Sequence, residues 1–188
     1  VVIPDSVTSL GGYAFSYCDG LTEVKLSANL TSLGLQAFSN CESLTSIDIP
    51  EGVTEIGKMA FGYCTSLTEV TIPESVATIG STAFYGCSGL EKITIPNKVC
   101  VFDGILTDLT TPIEGYADSS AYEYCFEHGV KFIDIETGES CIRGKCGDDL
   151  TYEISDDGVL TITGSGEMYD DPSFSRKSSF TSVVFDGE

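Results

Sequence analysis

The chain has 188 residues and a formal net charge of −20, from 29 acidic and 9 basic side chains. A charge of that sign and size repels phosphate groups, so it argues against nucleic acid and anionic membrane surfaces as partners. The sequence also lacks the run of about 18 apolar residues that a membrane span requires, so no membrane insertion is expected.

A 23-residue unit occurs four times in the first half of the chain. Residues 49–71 are followed at once by the same pattern from residue 72 onward. Phenylalanine, cysteine and leucine each recur with that step, at Phe15, Phe38, Phe61, Phe84, Cys18, Cys41, Cys64, Cys87, Leu21, Leu44, Leu67 and Leu90. A fixed period of about 20 to 29 residues that carries Leu-x-x-Val-x-Ile predicts a leucine-rich solenoid.

Each unit predicts one short strand with one buried side. Leu67, Val70 and Ile72 alternate with Glu69 and Thr71. This is the period-two pattern of a strand that is buried on one face. Successive turns are expected to stack these strands into a parallel sheet.

The rest of each unit is predicted to bend back across the core. Pro73 lacks a backbone N–H, so it fits where the chain leaves the sheet. Val76 and Ile79 then turn inward, and Gly80 permits a tight corner. The Ala83-Phe84 pair packs a small and a large residue into the far wall of the coil.

The four repeated cysteines allow two interpretations. Stacked turns lie roughly 5 Å apart, a spacing at which a chain of disulfides or a metal ladder could form. Equivalent side chains on stacked turns point the same way, however, and cysteine packs readily as a small apolar group. Buried free thiols are therefore the favoured interpretation.

The repeated residues resemble the BspA-type leucine-rich repeat of bacterial cell-surface proteins, whose unit reads Ile-Pro-x-x-Val-x-x-Ile-Gly-x-x-Ala-Phe-x-x-Cys-x-x-Leu-x-x-Val. Residues 1–98 match this pattern across four units. Members of that family are mostly secreted or surface-attached, and some bind host matrix or plasma proteins. The resemblance therefore implies a binding role at the cell surface without naming a partner.

The outward positions of the four strands form the expected binding surface on the concave face of the solenoid. We call this set the polar strip, and its members are Glu23, Lys25, Ser46, Asp48, Glu69, Thr71, Lys92 and Thr94. Two interpretations remain open, a recognition surface and an ordinary solvated sheet face. The strip has no aromatic anchor, so tight binding by this face is not supported.

The first turn, residues 1–23, has the full pattern but no polar cap before it. Terminal repeats need such a cap, because an uncapped turn exposes its core and a strand edge. We therefore expect further chain before Val1 in the native protein, and self-association or disorder at this end of the fragment.

The period fails after Pro96. Thr107 and Thr110 stand where phenylalanine and cysteine are due, so residues 99–116 are expected to form an irregular loop. The segment from Gly115 to Ile133 resembles the one that closes BspA-type arrays, a short helix followed by a strand. The resemblance implies a cap over the open end of the last turn.

A helix is predicted within this cap, because Ser119 can serve as its N-cap and Gly129 as its stop. Residues 121–128 would form the helix and residues 130–135 a strand, with Ala121, Tyr124 and Cys125 on the buried face. Tyr122 and Phe126 stand four apart and form one apolar spot. Either they pack on the loop of residues 99–116 or they hold the next domain; packing is favoured over an external ligand site.

From about residue 137 a small β module is predicted. Ser155-Asp156-Asp157-Gly158 is a hairpin turn between two strands. Cys141 and Cys146 could close a small disulfide loop in a secreted protein. Val183-Val184-Phe185-Asp186 looks like Val1-Val2-Ile3-Pro4, so the module is expected to lead into a further repeat array.

The sequence offers little catalytic or metal-binding chemistry. The pairs Asp148-Asp149, Asp156-Asp157 and Asp170-Asp171 suggest calcium, but no loop places acids at alternating positions before a glycine. The single histidine, His128, is expected to be a polar residue at a helix end. Cys125, its nearest cysteine, is predicted to be buried and thus a poor nucleophile.

The sequence therefore predicts a mainly β fold with short helices. A right-handed leucine-rich solenoid of four 23-residue turns would cover residues 1–98, a helical cap residues 99–136, and a small antiparallel β module residues 137–188. The predicted function is a non-enzymatic extracellular or cell-surface interaction or adhesion module, without cofactor or metal. Its partners would be a host matrix or plasma protein and neighbouring repeats of the same chain. The alternative is a structural spacer with no ligand of its own.

Overall fold

A computed structural model describes residues 1–108, 110–146, 148–169 and 181–186. Within these residues the chain is a mainly β solenoid with one α-helix. Its strands, numbered in chain order, form a five-stranded and an eight-stranded sheet. The first consists of β1 (Ser9–Leu10), β2 (Ser32–Leu33), β3 (Glu55–Ile56), β5 (Thr78–Ile79) and β7 (Val101–Phe102). The second consists of β4 (Glu69–Thr71), β6 (Lys92–Ile95), β8 (Ile113–Gly115), β9 (Lys131–Asp134), β10 (Ser140–Lys145), β11 (Leu150–Ser155), β12 (Val159–Gly164) and β13 (Ser182–Asp186).

The five-stranded sheet is built by the 23-residue step of the sequence. Each strand pairs in parallel with the equivalent residues of the next turn, so that Leu10, Leu33, Ile56, Ile79 and Phe102 lie in one row. The first four of these side chains are buried. Their burial is the main source of stability here, because each turn covers the apolar face of its neighbour.

The stretch 99–116 is not the irregular loop that the sequence predicted. Val101-Phe102 continues the five-stranded sheet in register with β5, and β8 continues the other sheet beside β6. The Phe84 amide donates to the Leu106 carbonyl at 3.1 Å, as the Phe61 amide does to Ala83. The prediction was wrong because backbone pairing carries the coil onward even where Thr107, which is buried, replaces the expected phenylalanine.

A column of four phenylalanine rings runs through the core. Neighbouring centroids along the series Phe15, Phe38, Phe61 and Phe84 are 5.3, 5.6 and 5.3 Å apart, and the rings are within 7° of parallel. The last three rings are almost completely buried, whereas Phe15 of the first turn is partly exposed. The column therefore joins each turn to the next by ring stacking.

The repeated cysteines are free thiols, as the favoured interpretation held. Each of three thiols donates a hydrogen bond to the phenylalanine carbonyl of the preceding turn. Cys41 reaches Phe15 O at 3.1 Å, Cys64 reaches Phe38 O at 3.2 Å, and Cys87 reaches Phe61 O at 3.0 Å. Each of these carbonyls also accepts the amide of the cysteine in its own turn, so the thiol is a second donor that links the two turns.

Cys141 and Cys146 do not form the suggested disulfide. Cys141 lies near the start of the extended strand β10, and Cys146 follows the end of that strand. Five steps along an extended strand separate the two residues by roughly 16 Å. That distance far exceeds the reach of a disulfide.

The helix α1 (Ser120–His128) has the predicted ends. The Ser119 hydroxyl accepts a hydrogen bond from the Tyr122 amide, and Gly129 takes the left-handed conformation that closes the helix, at φ 58°. Ala121, Tyr124 and Cys125 are its buried residues.

The eight-stranded sheet continues from the solenoid into the C-terminal part of the chain. β9 lies parallel to β8 but antiparallel to β10, which in turn pairs antiparallel with β11. A second, smaller core is formed by Cys146, Leu150, Tyr152, Ile154, Leu160 and Ile162. β13 lies parallel to β12, so the predicted antiparallel module is antiparallel only from β9 to β12, and Val183, Val184 and Phe185 of β13 are exposed.

Candidate interaction surface

Six of the eight predicted residues of the polar strip line one groove of about 430 Å³. They are Ser46, Asp48, Glu69, Thr71, Lys92 and Thr94. The parallel pairing of β4 with β6 brings them together, because Glu69 lies beside Lys92 and Thr71 beside Thr94. Glu23 and Lys25 lie outside the groove, nearer the first turn, where Lys25 forms an isolated bridge with Val2.

Glu114 completes this groove and was not predicted from the sequence. It lies on β8, in register with Thr94. Its Oε2 atom lies 3.0 Å from Lys92 Nζ and accepts a hydrogen bond from Thr94 Oγ1 at 2.6 Å. The bond from Thr94, and then the contact with Lys92, lower the pKa of the Glu114 carboxyl.

The pattern of the sequence could not point to Glu114, because it follows Thr94 by 20 residues and not by 23. The fifth turn is shorter than the other four. The signal that remains is the apolar residue Ile113 before it, which takes the place of Ile93 in the next rung of the sheet. A search for a strand in that stretch, made without a fixed period, would have found it.

The groove has an acidic character. Glu114 neutralises Lys92, whereas neither Asp48 nor Glu69 takes part in an ion pair within the described residues. Both of these carboxylates are exposed. Chemically, the arrangement can accept hydrogen bonds and ion pairs from lysine or arginine side chains of a partner.

Tyr122, one of the two residues of the predicted apolar spot, lies against the C-terminal strands. The Tyr122 ring makes an edge contact with Phe132 of β9 at 5.2 Å, and its hydroxyl accepts a hydrogen bond from Arg143 Nη1 at 3.2 Å. Arg143 in turn lies 3.0 Å from Glu153. The two predicted alternatives were packing on residues 99–116 and contact with the next domain. The contacts of Tyr122 are with strands that follow the helix. Phe126 is half-buried.

A sequence model of the BspA-type leucine-rich repeat region, in six copies, matches residues 1–105, more than half of the chain. The chain belongs to this family. No curated protein sequence gives a significant match.

Two solved structures of other proteins share the fold. A leucine-rich cell surface protein from Faecalibacterium prausnitzii has 31% identity and a TM-score of 0.55, over 86% of this chain and 44% of its own. The pneumococcal vaccine antigen PcpA has 23% identity and a TM-score of 0.55, over 71% of this chain and 35% of its own. A leucine-rich repeat protein from Bacteroides ovatus has 24% identity and a TM-score of 0.46, over 73% of this chain and 45% of its own. The chain thus spans less than half the length of each.

The described part of this BspA-type chain holds no group of three or more His, Cys, Asp or Glu residues placed to bind a metal ion. Asp156 instead accepts from Lys131 at 2.7 Å, and Asp148 accepts from the Tyr169 hydroxyl at 3.2 Å. Asp170-Asp171 lies outside the described residues. His128 Nδ1 lies 2.9 Å from Tyr124 O, and the ring stacks on Tyr124 at 4.3 Å.

None of the helices in the described residues is both long and apolar enough to cross a membrane.

Proposed function

We propose that this chain is a non-enzymatic interaction module of a bacterial surface protein, and that it binds a protein partner through the polar strip. The observation that carries this proposal is the groove that joins six strip residues to Glu114. Solenoids commonly bind along the sheet that their stacked turns present. The description of the F. prausnitzii relative as a cell surface protein supports the location.

The charge of the groove indicates the chemistry of the partner. Asp48 and Glu69 are exposed carboxylates in a chain of net charge −20. A partner that offers lysine or arginine side chains would be attracted at long range and would form ion pairs at the rim. Host matrix or plasma proteins with basic patches are the partners that fit, and adhesion is the role that would follow.

A structural spacer is the second candidate. The absence of aromatic side chains among the strip residues favours it, because interface hot spots are rich in tyrosine, tryptophan and arginine. In that role the chain would have no ligand of its own, and its contacts would be with neighbouring repeats of the same chain.

The test is surface plasmon resonance of the 188-residue chain against immobilised purified matrix and plasma proteins. Glu69→Lys reverses one charge inside the groove, and Glu51→Lys makes the same change at an exposed turn outside it. For a protein that binds, we expect Glu69→Lys to weaken the affinity about fivefold to tenfold, which is roughly 1 kcal/mol. The Glu51 variant should stay within about twofold.

Equal losses in both variants would show that net charge, and not the groove, governs the binding. No binding by the unchanged chain to any protein of the panel would favour the spacer.

A further inference from the structure

A second surface differs from the polar strip in chemistry. In each of the first four turns it lies in the segment that follows the strand of the five-stranded sheet, at residues 11–18, 34–41, 57–64 and 80–87. These four segments together contain one charged side chain, Lys58, although the chain carries 38 acidic or basic residues in all. Their exposed large side chains are Tyr13, Tyr17, Leu35, Tyr63 and Tyr85. We call Tyr13, Tyr17, Asn40, Tyr63 and Tyr85 the tyrosine ridge.

The backbone conformation at one position of the ridge is unfavourable for a bulky residue such as tyrosine. Two positions per turn take a left-handed conformation, and the second of them has φ of 59° at Tyr17, 60° at Asn40, 60° at Tyr63 and 73° at Gly86. Asparagine and glycine adopt this conformation readily, whereas a bulky residue is strained in it. The fold holds this conformation through the backbone, because the Tyr17 amide donates to the Ser39 carbonyl of the next turn at 2.8 Å. The Tyr17 side chain is 72% exposed, so this backbone presents it to solvent.

Within the ridge, the Tyr63 ring is also held in place by its neighbours. A Cβ atom at Gly86 would lie 2.5 Å from the Tyr63 ring, so this ring rests directly on the next turn. Tyr63 also makes an edge contact with Tyr85, with centroids 5.7 Å apart. Single exposed apolar residues are normal on protein surfaces. Four exposed tyrosines among serine, glycine and asparagine have instead the composition of a protein-binding surface.

The spacing of the ridge indicates the shape of its ligand. Tyr17 and Tyr63 hold the same position two turns apart, which is roughly 10 Å along the stack. A polyproline II helix advances roughly 9 Å in one turn of three residues. Prolines three residues apart would therefore meet successive tyrosines, which is how aromatic grooves bind proline-rich peptides.

Asn40 lies between these two tyrosines and supplies the polar contact. Its side-chain amide donates to Ser39 Oγ at 3.0 Å. An amide has two N–H donors, so one can serve a carbonyl of the peptide. A polyproline II backbone has no internal hydrogen bonds, so its carbonyls are available to accept.

The net charge of the chain indicates which residues should flank the prolines of the ligand. The ridge itself offers no acidic group, so the contact requires no buried ion pair. The field of a chain with charge −20 attracts basic residues next to the contact and repels a second copy of the same chain. We propose that the tyrosine ridge binds an extended proline-rich segment of a partner protein, with basic residues on either side of the prolines.

The test is fluorescence anisotropy with a labelled peptide of about 12 residues that has prolines three apart and lysines at both ends. A control peptide keeps the lysines and replaces the prolines by glycine and serine. We expect Tyr17→Asn and Tyr63→Asn each to weaken binding of the proline peptide about tenfold. Tyr169→Asn removes an exposed tyrosine elsewhere, and Glu69→Lys alters the polar strip; both should stay within about twofold.

Thermal unfolding separates lost binding from lost folding. Asparagine suits the left-handed conformation, so Tyr17→Asn should unfold at the same temperature as the unchanged chain or at a higher one. Equal binding of the two peptides would overturn the proposal, and so would unchanged binding by both ridge variants. A dimer that forms with rising concentration and disappears in Tyr17→Asn would also overturn it, because the ridge would then join two copies.

Discussion

At the scale of the residue, burial in the solenoid changes the acidity of cysteine thiols. Cys41 and Cys100 are almost completely buried, and this burial raises the pKa of each thiol from 9.0 to about 11. The contact with the neighbouring Cys87 thiol, together with burial, also raises the pKa of Cys64. The fold therefore favours the protonated form of these three thiols, and at Cys41 and Cys64 this is the form that donates to the carbonyl of the preceding turn.

This shift predicts a loss of stability in alkali. Because the folded pKa lies above the unfolded value, the contribution of each thiol is complete below about pH 9 and declines as the pH rises toward 11. At pH 10 we expect each thiol to account for about 1 kcal/mol of lost unfolding free energy. Urea unfolding at pH 8 and pH 10 measures the loss.

Cys41→Ala and Cys100→Ala should each reduce the difference between the two pH values, even though both variants are less stable at pH 8. Cys18 of the first turn is only partly buried, so Cys18→Ala serves as the control. A pH difference that is the same in all three variants would show that other groups cause the decline.

At the scale of the element, glycine fixes the distance between turns. A Cβ atom at Gly57 would lie 2.6 Å from the backbone carbon of Gly34, closer than any real contact. Gly11 holds the same position in the first turn, where nothing lies within 4 Å. The two glycines thus differ only in whether a preceding turn packs against them.

We expect Gly57→Ala to destabilise the chain by about 2 to 3 kcal/mol, because the backbone of Gly34 cannot move aside as a flexible side chain would. Gly11→Ala should be neutral or slightly stabilising, since alanine reduces the freedom of the unfolded chain. The melting temperature should fall by roughly 2 to 4 °C per kcal/mol in a chain of this length. Equal effects of the two substitutions would contradict the close approach of the turns.

The sequence predicted the structural features that recur in every repeat. It missed the features that depend on contacts between segments of different sequence. The 23-residue step located the buried row and the outward residues of the strip, because each turn reproduces the environment of the last. The same rule failed at residues 99–116. There β7 keeps the 23-residue step from β5 but lacks the repeated phenylalanine and cysteine after it, and β8 follows β6 by only 20 residues. Glu114 was missed for that reason.

The exposed tyrosines were missed for a different reason. The position two residues after the repeated phenylalanine carries no periodic signal, because it holds tyrosine, asparagine, tyrosine and glycine in successive turns. Only the backbone angles show that these four residues share one conformation.

At the scale of the whole molecule, one sheet crosses the boundary between two cores. The larger core fills the solenoid and ends near Phe132, and the smaller one lies among β10, β11 and β12. The pairing of β9 with β10 joins them, and the Tyr122–Arg143–Glu153 contacts add a side-chain link on the helix side. Solenoid and C-terminal strands are therefore expected to be coupled in stability.

Tyr122→Ala tests this coupling. It removes the edge contact with Phe132 and the hydrogen-bond acceptor of Arg143, so we expect a loss of about 2 to 3 kcal/mol. The loss should appear as faster hydrogen exchange in β10 to β12, with little change in β3 and β5, since nearest neighbours carry most of the stability of a solenoid. Glu127→Ala, an exposed change on the same helix, should leave both regions within about 0.5 kcal/mol. Faster exchange throughout the chain would mean that the two cores unfold as one unit; unchanged exchange in β10 to β12 would mean that the sheet alone holds them together.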